Sequence, residues 1–383
     1  MNQNALVANA NAGYVSNTVD MQLLKAIYNN EFITKEALQR VYDRSDNNFV
    51  ATSLSATVGA TWGSESSRFK HGLYLQWRDE YTLNVSKGLT GLVYFGNAPY
   101  ENQTVSMNGT LKSLDYRKLQ YVLTAKASSS LELSGSVGLV QASHAYDSDV
   151  KGSVFTATDG EYLNLDYAFD IKTYQAKHTV NFDAKGLTFG ASLLYHRPQS
   201  RSYFTAGLQE AGFVSVPASS NRYKADTAVT FDGFHIGNVF GLGDSSFVNV
   251  GEDSIKRYLG IRQSEEKFTT GIPARFFAYY EHRFENNWNL GVESDYAPSV
   301  YKLPYVALHA GRWWKQALFT DLYLHTSTFN TLNVGLSVAA NVHMNAARSR
   351  YLQLKAQTGY LNALVAPENT KGLDALVELA YRF

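Results

Sequence analysis

The sequence predicts an all-β protein: a transmembrane antiparallel β-barrel of about fourteen strands with a short helical N-terminal segment. Three observations carry that expectation. Apolar and polar residues alternate with period two along most of the chain. The alternating runs are about ten residues long, the length a tilted strand needs to cross a bilayer and longer than the ~5–6 residues usual in soluble sheets. The chain also stops on a phenylalanine that is in phase with the apolar row of its last run. The division expected is a helical segment over residues 1–46, in or under the pore, and a barrel over 47–383.

At the start of the chain, Met1-Asn2-Gln3-Asn4 lacks a basic region, and Ala5 to Ala12 is too short and Asn-rich for the apolar core of a signal peptide. That leaves three readings: a trimmed mature form, a misplaced gene start, or a chain that is not an exported barrel. Asp20 to Asp43 carries Leu23, Leu24, Ile27, Phe32, Ile33, Leu38 and Val41 at helical spacing, with Thr34-x-x-Ala37 in place of a full capping box. A second short helix is expected over Glu252 to Ile261.

The strands follow. Leu332, Val334, Leu336, Val338, Ala340 and Val342 form one row, opposite Asn333, Gly335, Ser337, Ala339, Asn341 and His343. Successive side chains of a strand point to opposite faces, so such a run has one apolar and one polar side. The same holds for Trp288 to Tyr296, Leu352 to Tyr360, Tyr223 to Phe231, Leu163 to Ile171 and Leu187 to Tyr195. Aromatics close many of these rows (Trp288, Tyr296, Tyr360, Tyr223, Phe231), where the headgroup region favours amphipathic rings. Glu285-Asn286-Asn287 reads as a tight periplasmic turn, and His144 to Gly160 and Ala366 to Lys371 as longer extracellular loops.

In the last twelve residues, Val377, Leu379, Tyr381 and Phe383 share one face with Leu373 and Ala375. This pattern resembles the terminal β-signal read by the outer-membrane barrel assembly machinery, which makes that machinery, with outer-membrane lipid, the expected partner and the outer membrane the expected location.

Composition narrows the classes of activity. Lys+Arg and Asp+Glu both number 34, so there is no excess positive charge with which to bind nucleic acid. Cysteine is absent, which excludes disulfides, thiolate metal sites and a Cys nucleophile. No stretch has the ~18 consecutive apolar residues of a membrane helix. Gly335-Leu336-Ser337-Val338-Ala339 comes nearest to a nucleophile elbow and fails at its last glycine. His309, His325 and His343 stand singly on different runs, and neither H-E-x-x-H nor H-x-H occurs. Asp147-Ser148-Asp149 and Asp159-Gly160-Glu161 lack the remaining ligands of a Ca²⁺ loop, and Gly241-Leu242-Gly243 lacks the rest of a dinucleotide fingerprint. Arg312-Trp313-Trp314-Lys315 reads as a turn anchored at the membrane interface rather than a binding patch. No catalytic residue, cofactor or metal site is predicted.

Five segments carry a family resemblance: Leu54 to Gly59, Tyr94 to Tyr100, Gly135 to Val140, Ala211 to Val214, and Gly271 to Ala274. In these the chain resembles an uncharacterised family of Bacteroidota outer-membrane barrels with a domain of unknown function, related to FadL-like and to PorV- or PorP/SprF-type barrels. The resemblance implies a FadL-like barrel whose N-terminal segment occupies or underlies the pore, and it brings no catalytic residues. Two functions follow from it. One is transport of small or hydrophobic molecules; the other is a non-transporting role as partner of secretion or surface-anchoring machinery.

Overall fold

The computed structural model describes residues 4–44, 47–64, 67–177, 183–197, 200–232, 256–257, 259–298, 303–315, 317–326, 332–344 and 350–383. Its strands, in chain order, are β1 (Ala5–Ser16), β2 (Asn47–Trp62), β3 (Phe69–Ser86), β4 (Thr104–Ser106), β5 (Gly109–Lys126) and β6 (Leu131–Thr156). Next come β7 (Leu163–Gln175), β8 (Ala184–Arg197), β9 (Ser202–Val216), β10 (Asn221–Phe231), β11 (Arg262–Glu265), β12 (Phe268–Ile272) and β13 (Arg275–Arg283). The last are β14 (Trp288–Tyr296), β15 (Tyr305–Trp314), β16 (Leu318–Thr326), β17 (Leu332–His343), β18 (Tyr351–Thr358) and β19 (Gly372–Arg382). Among the described residues three α-helices join them: α1 (Met21–Tyr28), α2 (Lys35–Asp43) and α3 (Lys87–Phe95).

Fourteen of these strands close a barrel in the order β1-β2-β3-β5-β6-β8-β9-β13-β14-β15-β16-β17-β18-β19, each antiparallel to its neighbours. The ring is sealed where β1 lies between β2 and β19, with Ala5 opposite both Thr61 and Arg382. Both chain ends therefore emerge at one rim, the terminal end. The opposite rim, the loop end, carries the helices and longer connections.

Alternation maps onto the wall as the sequence predicts. On β17, Asn333, Gly335, Ser337 and Ala339 are buried toward the lumen. On the outside, Leu54, Leu75, Leu119, Leu139, Leu290, Leu308, Leu322 and Leu379 are all exposed. A continuous apolar outer belt is out of place in water and suits hydrocarbon. Trp62, Phe69, Phe284, Trp288, Trp314 and Phe383 ring its terminal end, also exposed. Arg312 is held between Trp288 and Trp314, its guanidinium carbon 5.5 and 4.5 Å from the two rings.

Two runs expected in the membrane lie elsewhere. Leu163 to Ile171 and Tyr223 to Phe231 fall on β7 and β10, which pair with each other and with the far half of β6 as a blade beyond the loop end. Consequently Tyr223 and Phe231 are not girdle residues, and Tyr360 is buried. His144 to Thr156, expected as loop, continues β6 without interruption. A bulge marks the junction: the β5–β6 register shifts between Asp115 and Tyr116, skipping Ser143. Below it β6 pairs with β8, and above it with β7. An extra residue bends and twists a strand, which lets one strand serve two sheets. The main apolar core sits at this junction, with Tyr116, Val140, Ala142, Val214 and Val216 fully enclosed.

The N-terminal segment also differs from expectation. Residues 5–16 are not helical but a stave of the wall. Asp20 to Asp43 forms two helices rather than one, separated by a corner in which Asn30 has φ 54°. Asp20 and Thr34 cap them by accepting from Leu23 N and Ala37 N. Arg44 pins the pair to the loop-end rim, donating to Asp20 at 2.8 Å, to Thr18 O and to Glu368 O. Tyr42 packs edge-on against Phe95 of α3. These anchors hold the helices at the rim opposite the terminal end, not under it. Half of the helix expected over Glu252 to Ile261, and all of Gly241-Leu242-Gly243, lie outside the described residues.

Removing β1 leaves two unpaired edges in a sheet that must have none. A chain lacking residues 1–16 is expected to lose the SDS-resistant, faster-migrating band of the unboiled protein. Replacing residues 21–43 with a short Gly/Ser linker is expected to keep it.

Candidate functional site

Midway along the barrel, inward side chains from β3, β5, β9 and β13 meet in a charged layer. Glu210 is the pivot. In the β8–β9 ladder, Phe189 faces Ala211 but Ala191 faces Leu208, so Gln209 and Glu210 oppose Gly190 alone. Glu210 adopts φ 62° at this bulge, a left-handed backbone unusual for any residue but glycine. The distortion aims its carboxylate into the lumen. There it accepts from Lys118 Nζ at 2.5 Å and contacts Arg78 directly. Arg78 also lies 3.6 Å from Glu80, which in turn accepts from Arg275 at 2.7 Å. Lys118 is 1% exposed and Glu210 6%, so these charges are shielded from solvent and depend on one another.

The layer lies between two cavities. On its loop-end side is a cavity of 240 Å³, lined by Glu80, Tyr81, Leu114, Tyr146, Ile272 and Arg275 among others. On its terminal-end side is one of 310 Å³, with Tyr74, Gln76, Gln120, Ser136, Glu210 and Phe277 in its wall. Along β3 the order is Tyr74 and Gln76 in one cavity, Arg78 in the layer, then Glu80 and Tyr81 in the other. On β5 it is Gln120, Lys118, then Leu114. Wall side chains themselves make the partition.

A second inward cluster lies across β13 to β18. His309 sits between two carboxylates, with Nδ1 3.0 Å from Asp321 and Nε2 3.4 Å from Glu293. Its ring lies 5.5 Å from that of Tyr323 and 5.8 Å from that of Tyr279. Tyr279 donates to Glu281 at 2.6 Å, and Arg283 and Asn289 donate to the same carboxylate. These residues face a cavity of 290 Å³ in the terminal half of the barrel. Backbone packing depends on it too: Tyr323 faces Gly335 across β16–β17 and its ring fills the space a Cβ would take there. Tyr74 lies over Gly59 in the same way.

Val377 and Leu379 point outward from β19 and Phe383 is exposed beyond its end, with the Tyr381 and Phe383 rings stacked at 5.4 Å. The Phe383 N–H donates to Asn4 O, extending the seam to the last residue. Arg312-Trp313-Trp314-Lys315 divides by parity: Arg312 and Trp314 face outward, while Trp313 lines the 290 Å³ cavity. His309 and His325, single in the sequence, are joined through Tyr323, whose ring lies 5.8 Å from that of His325. His343 packs separately against Tyr351. Among the described residues no group of three or more His, Asp or Glu is arranged to hold a metal.

The family model described as "Family of unknown function (DUF5723)" matches residues 5–346, beginning at the first residue of β1. The chain belongs to that family. No curated protein matches this DUF5723 chain in sequence. Among solved structures it is similar to a Pseudomonas aeruginosa FadL homologue, at 9% identity and TM-score 0.50 over 100% of this chain and 90% of the other. It is also similar to the Ralstonia pickettii toluene transporter TbuX (10% identity, TM-score 0.45, 100% and 90% covered). The P. putida toluene transporter TodX gives 9% identity and TM-score 0.44, with the same coverage. At such identities the likeness to the FadL homologue concerns the fold alone, a closed fourteen-stranded antiparallel barrel.

Breaking a buried ion pair strands its partner, at a cost of about 3–5 kcal/mol. Glu210→Gln is expected to destabilise the barrel by that order in urea titrations in detergent. Adding Lys118→Met is expected to recover most of the loss, because it removes one of the stranded charges.

Proposed function

We propose that this DUF5723 protein resides in the outer membrane and admits small molecules through its lumen, with the Arg78–Glu80–Lys118–Glu210–Arg275 layer as the gate. The observation that carries this reading is the pair of cavities stacked on either side of that layer. A barrel serving only as a scaffold has no need of space on both sides of an ion-paired partition. Ion pairs also suit a gate, since they exchange partners without unfolding the wall that bears them. The loop-end cavity combines Leu114, Ile272, Pro273 and two tyrosines with Lys112 and Arg275. Such a lining accepts small molecules with apolar bodies, the cargo expected of a FadL-like barrel. The gate differs from a terminal plug in being part of the wall.

Placement in the membrane rests on the apolar belt and its aromatic rim. The outward row Val377, Leu379, Tyr381 and Phe383 is the proposed handle for the barrel assembly machinery. Phe383→Ala is expected to lower the amount in the outer-membrane fraction severalfold while leaving refolding into detergent unchanged. Equal loss in both assays would make Phe383 a structural residue only.

A second reading is favoured by the blade of β6, β7, β10 and β11, which offers an exposed surface beyond the loop end for a secretion or surface-anchoring partner. Planar-bilayer recording separates the two. The wild-type barrel is expected to conduct rarely, and Arg78→Ala with Arg275→Ala to raise conductance at least severalfold. Silence from both proteins, with secretion components copurifying from native membranes, would replace the transport reading with the partner reading.

A further inference from the structure

On the outer wall near the terminal end, Arg312 is a cation without a counter-charge. It projects outward from β15, its guanidinium lying against the rings of Trp288 on β14 and Trp314 on its own strand. Trp288 is its partner in the β14–β15 ladder, and Thr320 its partner on β16. Thr320 accepts from Trp314 Nε1 at 2.9 Å, which fixes the orientation of that ring. Among the described residues the Arg312 side chain meets no carboxylate and no hydrogen-bond acceptor. One step further into the belt, Ala310 stands between Leu290 and Leu322, both exposed. Its small side chain leaves a shallow trough between the two leucines, leading from the guanidinium toward hydrocarbon. On the rim side of Trp314, Lys315 is exposed at a turn where its φ is 48°.

A guanidinium offers donors only, in a planar fork that matches two oxygens of one phosphate. Contact with indole rings shields it from water and leaves its N–H edge for that bond. Depth then decides which phosphate it meets. Trp288 and Trp314 belong to the aromatic rim, so Arg312 lies at the level of the headgroups of one leaflet. A phosphate ion in water makes no use of an apolar trough beside the cation, whereas a phospholipid carries a phosphate and a chain in that order. Headgroup charge is selected as well. An ammonium arm needs a carboxylate or a free ring face, but the ladder partners of Arg312 are uncharged and Arg312 already lies against both rings. Lys315 adds a second positive charge, which favours a headgroup of net negative charge.

We propose that Arg312, Trp288, Trp314 and Ala310 form a binding site for an anionic phospholipid of the leaflet at the terminal end. The phosphate sits on the guanidinium edge, and the first carbons of one acyl chain lie along Ala310. The site rests on the membrane placement proposed above and is independent of whether the lumen conducts.

The test uses the full chain folded in detergent, titrated with phosphatidylglycerol and with phosphatidylethanolamine, and bound lipid is counted by native mass spectrometry. Phosphatidylglycerol is expected to saturate a site at several-fold lower concentration than phosphatidylethanolamine, and inorganic phosphate not to displace it. Arg312→Gln should lower phosphatidylglycerol affinity at least tenfold while the cold-SDS-resistant band persists. Arg312→Lys, which keeps the charge but not the fork, should restore only part of that loss. Ala310→Leu fills the trough without touching the cation and should also weaken lipid binding severalfold; it decides the matter if Arg312→Gln does not fold. Equal affinity for the two lipids, phosphatidylglycerol affinity unchanged by Arg312→Gln or by Ala310→Leu in a folded barrel, or displacement by inorganic phosphate would each overturn the proposal. Failure of the two readings is separable. Lipid bound through Arg312 by a barrel that is absent from outer-membrane fractions counts against the placement and not against the site. A barrel present there, with phosphatidylglycerol retained equally by wild type and Arg312→Gln, counts against the site and not against the placement.

Discussion

Every strand of this protein depends on the closure of one hydrogen-bonded ring. In hydrocarbon no water relieves an unpaired N–H or C=O, so an open edge costs several kcal/mol per group and a closed one costs nothing. The chain meets this demand with its two extremities, β1 taking its partners from β2 and β19. Once the ring is closed, each stave has a lipid face and a lumen face, and residue choice along it becomes binary. The belt, the aromatic rim and the inward rows all follow from that division.

Within the lumen the constraint is reversed. Charges held away from bulk solvent must be matched, and the wall matches them by distorting itself. The bulge at Glu210 spends backbone strain to bring one carboxylate to two cations. Pro273, between β12 and β13, ends one pairing of β9 and allows the next to begin, with Arg275 delivered to Glu80 at the change of partner. Several segments that carried the family resemblance, Ala211 to Val214 and Gly271 to Ala274 among them, lie against this partition. Pro273 marks the change of ladder and, with Gly271, also lines the loop-end cavity.

Much of the wall was legible because lipid and lumen impose opposite chemistries on alternate residues; β17 and β14 could be read directly. β1 could not. Its outward residues include Ala8 and Ala10 and its inward ones Asn9 and Gly13, so the contrast between its faces is faint. β7 and β10 misled for the opposite reason: alternation reports a covered face and an open one, but not whether lipid or protein does the covering. The charged layer was invisible in one dimension. Lys118 and Glu210 are 92 positions apart, and Glu80 and Arg275 are 195 apart. Only the register of the ring brings them together. Trp313 was half legible, because parity could separate it from Trp314 but could not say what its ring would meet.

The length of β6 has a mechanical consequence. Its 26 residues span ~85 Å at ~3.3 Å each, against a hydrocarbon layer of ~30 Å. One continuous covalent strand thus runs from the terminal rim, past Val140 paired with Lys118, to the tip of the blade. A molecule that lands on the blade therefore touches the same strand that, past the bulge at Ser143, borders the partition.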